Sequence, residues 1–261
     1  MMQSIRDDLF SSMRIRFLAL LVVTGCGGDM GLASVSFPPP FRATNLVDPD
    51  IVTASDPTAY LGSTYAGQQS RTMYDRRIGW ITVDAFVFDA AFDDGLAIEV
   101  QVNPEFGTPE AAEEVADLYA GHMGRLPAAL RRDVETVWIH EGRQPFSGFD
   151  NSILIHTDQG ERYGGFLEET LAHEAAHVSL DPRYAAGLAW RAAQAADPTF
   201  VSSYARSHPE REDIAESIVA YLAIRFRADR ISADTYSSIL GAIPERIAFF
   251  DGLGLEMHPL D

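Results

Sequence analysis

Residues 166–180 read FLEETLAHEAAHVSL, and the reading of this stretch governs the rest of the chain. It contains no Gly or Pro, most of its residues are good helix formers, and Leu167, Leu171, Ala175 and Val178 recur at helical spacing. Gly164-Gly165 precedes it and Pro182 follows, so a helix is predicted between them, with Glu168 and Glu169 in the first turn at the positive end of its dipole. Four residues separate His173 from His177, which is about 40° of arc on a helix, so both rings can reach one ion. Glu174, about 100° from His173, can reach a water beside that ion. A His-Glu-x-x-His helix is thus a zinc site with a built-in general base.

A catalytic zinc usually has three protein ligands and an open fourth position, so another ligand must lie downstream. Metzincin spacing would need a His six residues after His177, but that position is Arg183. Asp181, one turn beyond His177, qualifies by residue type, although the end of the same helix better suits a residue that orients a His. The stronger candidates lie in PEREDIAESIVAYLAIRFR, Pro209 to Arg227. This segment reads as one long helix, with Pro near its start, acids in its first turns, and Ile214, Ile218, Tyr221, Leu222 and Arg225 at helical intervals. Glu212 and Glu216 share a face, so one can bind the metal while the other holds the free ring nitrogen of a metal-bound His. Without a metal, Glu210, Glu212 and Asp213 read as a solvated acidic turn.

HEAAH, then Glu-Asp-Ile-Ala-Glu at 212–216 with Ser203-Tyr204-Ala205-Arg206 before it, resembles the lethal-factor-type zinc metallopeptidases of the gluzincin group, which include the Pro-Pro endopeptidases. The resemblance spans roughly Leu167 to Tyr221. It implies a zincin-like domain in which His173, His177 and Glu212 are the zinc ligands, Glu174 is the base, Glu216 is a supporting residue and Tyr204 stabilises the transition state. The eight-residue interval from Tyr204 to Glu212 is one longer than the family's usual spacing, which leaves His208 as the alternative donor. Should Glu212 not be a ligand, Glu216 is next and Asp181 follows.

Upstream, VETVWIH (134–140) and SILIHT (152–157) read as short β-branched strands. Ser152 to Thr157 is the candidate edge on which a substrate backbone would add as a strand. His140 and His156 lack a partnered spacing and are taken as structural. The runs WITVDAFVFDA and LAIEVQVN, split by Asp93-Asp94-Gly95, predict a β-hairpin, Pro109 to Met123 predicts a helix, and Ser232 to Phe250 adds helical pattern. A small sheet followed by a helical half makes an α+β domain.

At the N-terminus, Met13-Arg14-Ile15-Arg16, the apolar FLALLVV (17–23) and Val23-Thr24-Gly25-Cys26 resemble a bacterial lipoprotein signal. Residues 1–12 carry Asp7 and Asp8, which fit a basic start poorly and leave Met13 as an alternative beginning. The expected organisation is a signal over 1–25, a lipidated Cys26, a flexible Pro- and Gly-containing tether over 26–70 and the peptidase-like domain over 71–261. An anchored location outside the cytoplasm rests on this signal, since the only cysteine is Cys26.

The net charge is −18, and every basic residue is Arg. Such a surface repels nucleic acid and anionic lipid headgroups, so contact with a membrane is expected only through the anchor. The leading expectation is a monomeric, lipid-anchored zinc endopeptidase acting on peptides or proteins. Its rivals are a non-catalytic envelope lipoprotein that keeps the fold for binding, and an amidase acting on cell-wall material. Retention of Glu174 favours catalysis, because a structural zinc site has no use for a base.

Overall fold

Alternation along Gly79–Phe92 sends Phe86, Phe88, Ala90 and Phe92 to one side of a sheet and Ala85 and Val87 to the other, and both sides are buried. This is β2 of the computed structural model, which describes residues 37–44, 47–48 and 50–261. The expected signal over 1–25 and the expected lipidation site Cys26 lie outside the described residues. β2 pairs antiparallel with β1 (Tyr60–Asp75) and with β3 (Ala97–Val102), which forms the expected hairpin. β4 (Thr136–His140) and β6 (Ser152–His156) continue the sheet in parallel, and β5 (Ser147–Phe149) closes it antiparallel to β6. The mixed sheet runs β1-β2-β3-β4-β6-β5.

Between β3 and β4 lie α1 (Pro109–Gly124) and α2 (Ala128–Arg131). α1 starts where the Thr108 hydroxyl accepts the Ala111 N–H and Pro109 presets the first turn. Its Ala112, Ala116 and Met123 join the main core over one face of the sheet. The other face carries a smaller cluster of Met73, Ala85, Val87, Trp138 and Leu154, edged by Tyr74 and Phe149.

After β6 the chain is helical: α3 (Thr157–Tyr163), α4 (Leu167–Ser179), α5 (Asp181–Tyr184), α6 (Leu188–Ala196), α7 (Ser203–Ser207), α8 (Asp213–Phe226), α9 (Ala233–Ala242) and α10 (Pro244–Asp251). The architecture is therefore α+β, a six-stranded mixed sheet followed by a helical half. α4 packs against β5, α2 and α8. Of its 13 residues only Glu174 and His177 escape full burial. No helix among the described residues is long and apolar enough to cross a membrane.

Three expectations are corrected. The tether does not extend to Ser70, because Tyr60 onward is β1 and Thr44, Ile51, Val52 and Ala59 are buried. Its backbone bonds go to distant segments, Phe41 N–H to Val201 O and Ser203 N–H to Phe41 O, and so leave no local periodic signal. The strand Ser152–His156 is not an edge, since β4 and β5 flank it and all five residues are buried. Finally, the helix expected from Pro209 starts only at Asp213. Glu212 occupies its N-cap position, after a turn in which Arg211 and Glu212 both donate to the His208 carbonyl.

Candidate metal centre

α4 and α8 lie side by side and bring three acceptor atoms to one point. His173 Nε2 and His177 Nε2 are 3.2 Å apart, and Glu212 Oε2 lies 3.4 Å from the first and 3.3 Å from the second. Ligand atoms about 2.0–2.1 Å from a tetrahedral ion stand about 3.3–3.4 Å from one another, so the triangle has the dimensions of one face of such a site. Glu212 Oε2 is buried and has no hydrogen-bond partner among the described residues. His173, His177 and Glu212 are thus a group able to hold a metal ion.

The far nitrogens of both rings face carboxylates. His177 Nδ1 is 2.7 Å from Asp181 Oδ2, and His173 Nδ1 faces Glu216 Oε1 across 3.4 Å. At His177 the acid can hold the proton on Nδ1, which leaves the Nε2 lone pair for a metal; at His173 the 3.4 Å contact falls short of a hydrogen bond, and Nδ1 and Glu216 Oε1 face each other without a bonded partner among the described residues. Burial of His177 works against its charged form, but Asp181 and Glu212 outweigh it and raise the pKa to about 10. Glu212 is also buried, which opposes its charge, and the two rings pull its carboxyl far below the ordinary range. A divalent cation at this point would meet the negative charge of Glu212 and the two ring nitrogens together.

Glu174 sits on the open stripe of α4, where its Oε2 accepts the Gly148 N–H of β5 at 2.8 Å. The approach requires glycine: a Cβ at 148 would lie 1.9 Å from the Glu174 carbonyl oxygen. β5 is held there by a two-residue turn to β6 in which Asp150 (φ 49°) and Asn151 (φ 55°) are both left-handed, a type I′ hairpin. Ser147, Gly148 and Phe149 line a cleft of about 1170 Å³ shared with His173, Glu174 and His177. This short strand, which sequence reading missed, is, among the described residues, the outer strand of the sheet beside the site.

Tyr204 lines the same cleft from α7. Partial burial, followed by the charge of Glu212, pushes its phenol up to about 12, so it stays protonated and able to donate. His208 does not line the cleft; it packs edge-on against the Tyr204 ring at 5.2 Å.

Asp213, read as part of a solvated turn, is 1% exposed and accepts from Arg246 Nε at 2.8 Å and from Gln194 at 2.9 Å. Arg246 also grips Asp197 at 2.7 Å, and together these bonds pin the start of α8 and hence Glu212. Glu168 and Glu169 stand in the first turn of α4, as expected, and are buried there, Glu168 on His122 and Glu169 on the Val52 N–H. His140 and His156 lie away from the cleft, both fully buried at the ends of β4 and β6. His140 bonds Asn103 and the Tyr74 carbonyl, and burial lowers its pKa to about 4.

No family model matches the sequence, and neither the curated proteins nor the solved structures compared with it give a match.

Proposed function

We propose that this chain is a zinc-dependent endopeptidase of zincin type, with His173, His177 and Glu212 as the ligands. The observation that carries the reading is the convergence of three metal-fitting acceptors in a cleft where a fourth group, Glu174, stands beside them without being needed as a ligand. His and carboxylate donors around an open position suit zinc among the common divalent ions. When bound, zinc supplies Lewis acidity toward a carbonyl oxygen and toward water.

The protein's own groups do the remaining work. Glu174, oriented by the Gly148 N–H, takes the proton of the attacking water and later delivers it to the leaving amine. The Tyr204 phenol donates to the oxyanion, an interaction worth about 2.7–4 kcal/mol at comparable sites. β5 is the outer strand beside the cleft, and with its Gly148 N–H engaged by Glu174 the remaining groups of that edge are the ones a substrate backbone would pair with. Anchoring through Cys26, outside the cytoplasm, belongs to the same proposal and rests on the signal-like N-terminal sequence alone.

Incubation of the purified protein with casein or a peptide library, with and without chelator, tests the activity. Chelator-sensitive cleavage is expected, and Glu174→Gln should retain zinc while losing at least about 10²-fold in rate. Absence of chelator-sensitive cleavage favours a binding role, and normal cleavage by Glu174→Gln removes that residue as the base.

A further inference from the structure

Glu216 faces His173 with one oxygen only, and its other oxygen is held by a residue 172 positions away. Thr44 donates its backbone N–H to Glu216 Oε2 at 2.8 Å, and its hydroxyl donates to the Glu216 carbonyl oxygen, also at 2.8 Å. Both residues are buried, Thr44 at 2% and Glu216 at 0% exposure. The segment is fixed just before this point. Thr199 Oγ1 donates to the Phe37 carbonyl at 2.6 Å, the Phe41 N–H bonds Val201 O at 3.3 Å, and the Ser203 and Tyr204 N–H groups donate to the carbonyls of Phe41 and Arg42 at 2.9 and 3.1 Å. The same few residues therefore hold the backbone of Tyr204 and the carboxylate behind His173.

We infer that Thr44 is a positioning residue of the metal centre, acting through Glu216 on His173. A glutamate carboxylate has free torsions, and its pairing with a ring nitrogen depends on which way the group turns. The N–H of Thr44 fixes Oε2, which leaves Oε1 facing His173 Nδ1 at 3.4 Å. The hydroxyl bond ties the same residue to the α8 backbone, so acid and strap are fixed to each other at two points. Across that gap the carboxylate favours by its charge the tautomer with the His173 proton on Nδ1, which directs the Nε2 lone pair at the site. The inference rests on the metal-binding part of the proposed function and does not depend on what the protein cleaves.

The test is zinc affinity of the full chain, measured by competition with a chromophoric chelator, alongside melting of the metal-free form. Thr44→Pro deletes the N–H and is expected to weaken zinc by at least about tenfold, the range found when partners of metal-bound histidines are removed. Thr44→Val keeps the N–H, loses the hydroxyl tie and should weaken zinc less, while Thr44→Ser should match the wild type. In a Glu216→Ala background the Thr44 substitutions should no longer matter, because the group they act through is gone. A merely structural Thr44 would lower melting and leave zinc affinity unchanged in every variant, which overturns the inference. If Thr44→Pro does not fold, the Val and Ser pair decides, and equal affinity for Val and wild type is the overturning result. Failure of the wild type to bind zinc overturns the metal reading itself and this inference with it.

Discussion

Gly148→Ala puts the contact between β5 and α4 under direct strain. The added carbon would stand 1.9 Å from the Glu174 carbonyl oxygen and 2.8 Å from its carbonyl carbon. Non-bonded heavy atoms rest at about 3.5 Å, so the strand must withdraw by about 1.5 Å. The 2.8 Å bond from the Gly148 N–H to Glu174 Oε2 cannot survive such a shift. Neither partner can yield cheaply, because α4 is enclosed along 11 of its residues and β5 is fixed by its tight turn to β6. Overpacking of this kind costs about 1–3 kcal/mol, and each kcal/mol lowers Tm by about 2–4 °C in a domain of this size. Misplacing a catalytic group by about 1 Å costs on the order of 10²-fold in turnover. Calorimetry, zinc stoichiometry and chelator-sensitive cleavage are measured together. The variant should melt lower and cleave about 10²-fold more slowly, yet bind one zinc, since none of the three proposed ligands accepts a hydrogen bond from Gly148. Wild-type melting and turnover would mean that β5 neither abuts α4 nor orients Glu174.

Asp181→Asn removes the charge that holds the His177 Nδ1 proton at 2.7 Å, and should weaken zinc by about 10–100-fold in a chelator competition; unchanged affinity would show that the ring is oriented by other contacts. Glu169, 1% exposed, has its pKa pushed up by burial from 4.5 to about 8. The folded chain therefore keeps a proton that the unfolded chain releases, so this residue's contribution is most favourable below pH 4.5 and is lost as the pH rises toward 8. Glu169→Gln stays neutral and still accepts the Val52 N–H, so it should be the more stable protein by up to about 3 kcal/mol at pH 7. Denaturation across pH 4.5–8 checks this, and a gap that does not widen with pH refutes it.

The helix of residues 167–179 could be read because composition, spacing and breakers agree, and the hairpin of β2 and β3 because its alternation is long and unbroken. Glu212 and Glu216 stood out as a pair by their four-residue interval, a purely local quantity, while the choice of Glu212 as the ligand came from the family resemblance. β1 was hidden for a specific reason. Register shifts at Tyr60/Gly62 and Tyr65/Gly67, where both glycines have positive φ, break the alternation in its first half, and the unbroken half from Gly67 to Asp75 (GQQSRTMYD) is too polar to show an apolar period. β5 has three residues, too few to carry a period, and its turn uses Asp-Asn in place of the stronger Asn-Gly or Asp-Gly signal. The burial of Glu168, Glu169 and Asp213 depends on His122, Val52 and Arg246, which are distant in sequence and invisible to any window.

The irregularities in β1 also bear on how molecules of this protein behave toward one another. β1 is an edge of the sheet and is 16 residues long, which would present a ruled line of unpaired donors and acceptors to any passing strand. Two register shifts interrupt that line within its first half, so a neighbouring chain could not match it along its full length. The glycines that obscured the strand in the sequence thus serve colloidal safety: they let a long border stay open to solvent without becoming a template for fibrous stacking.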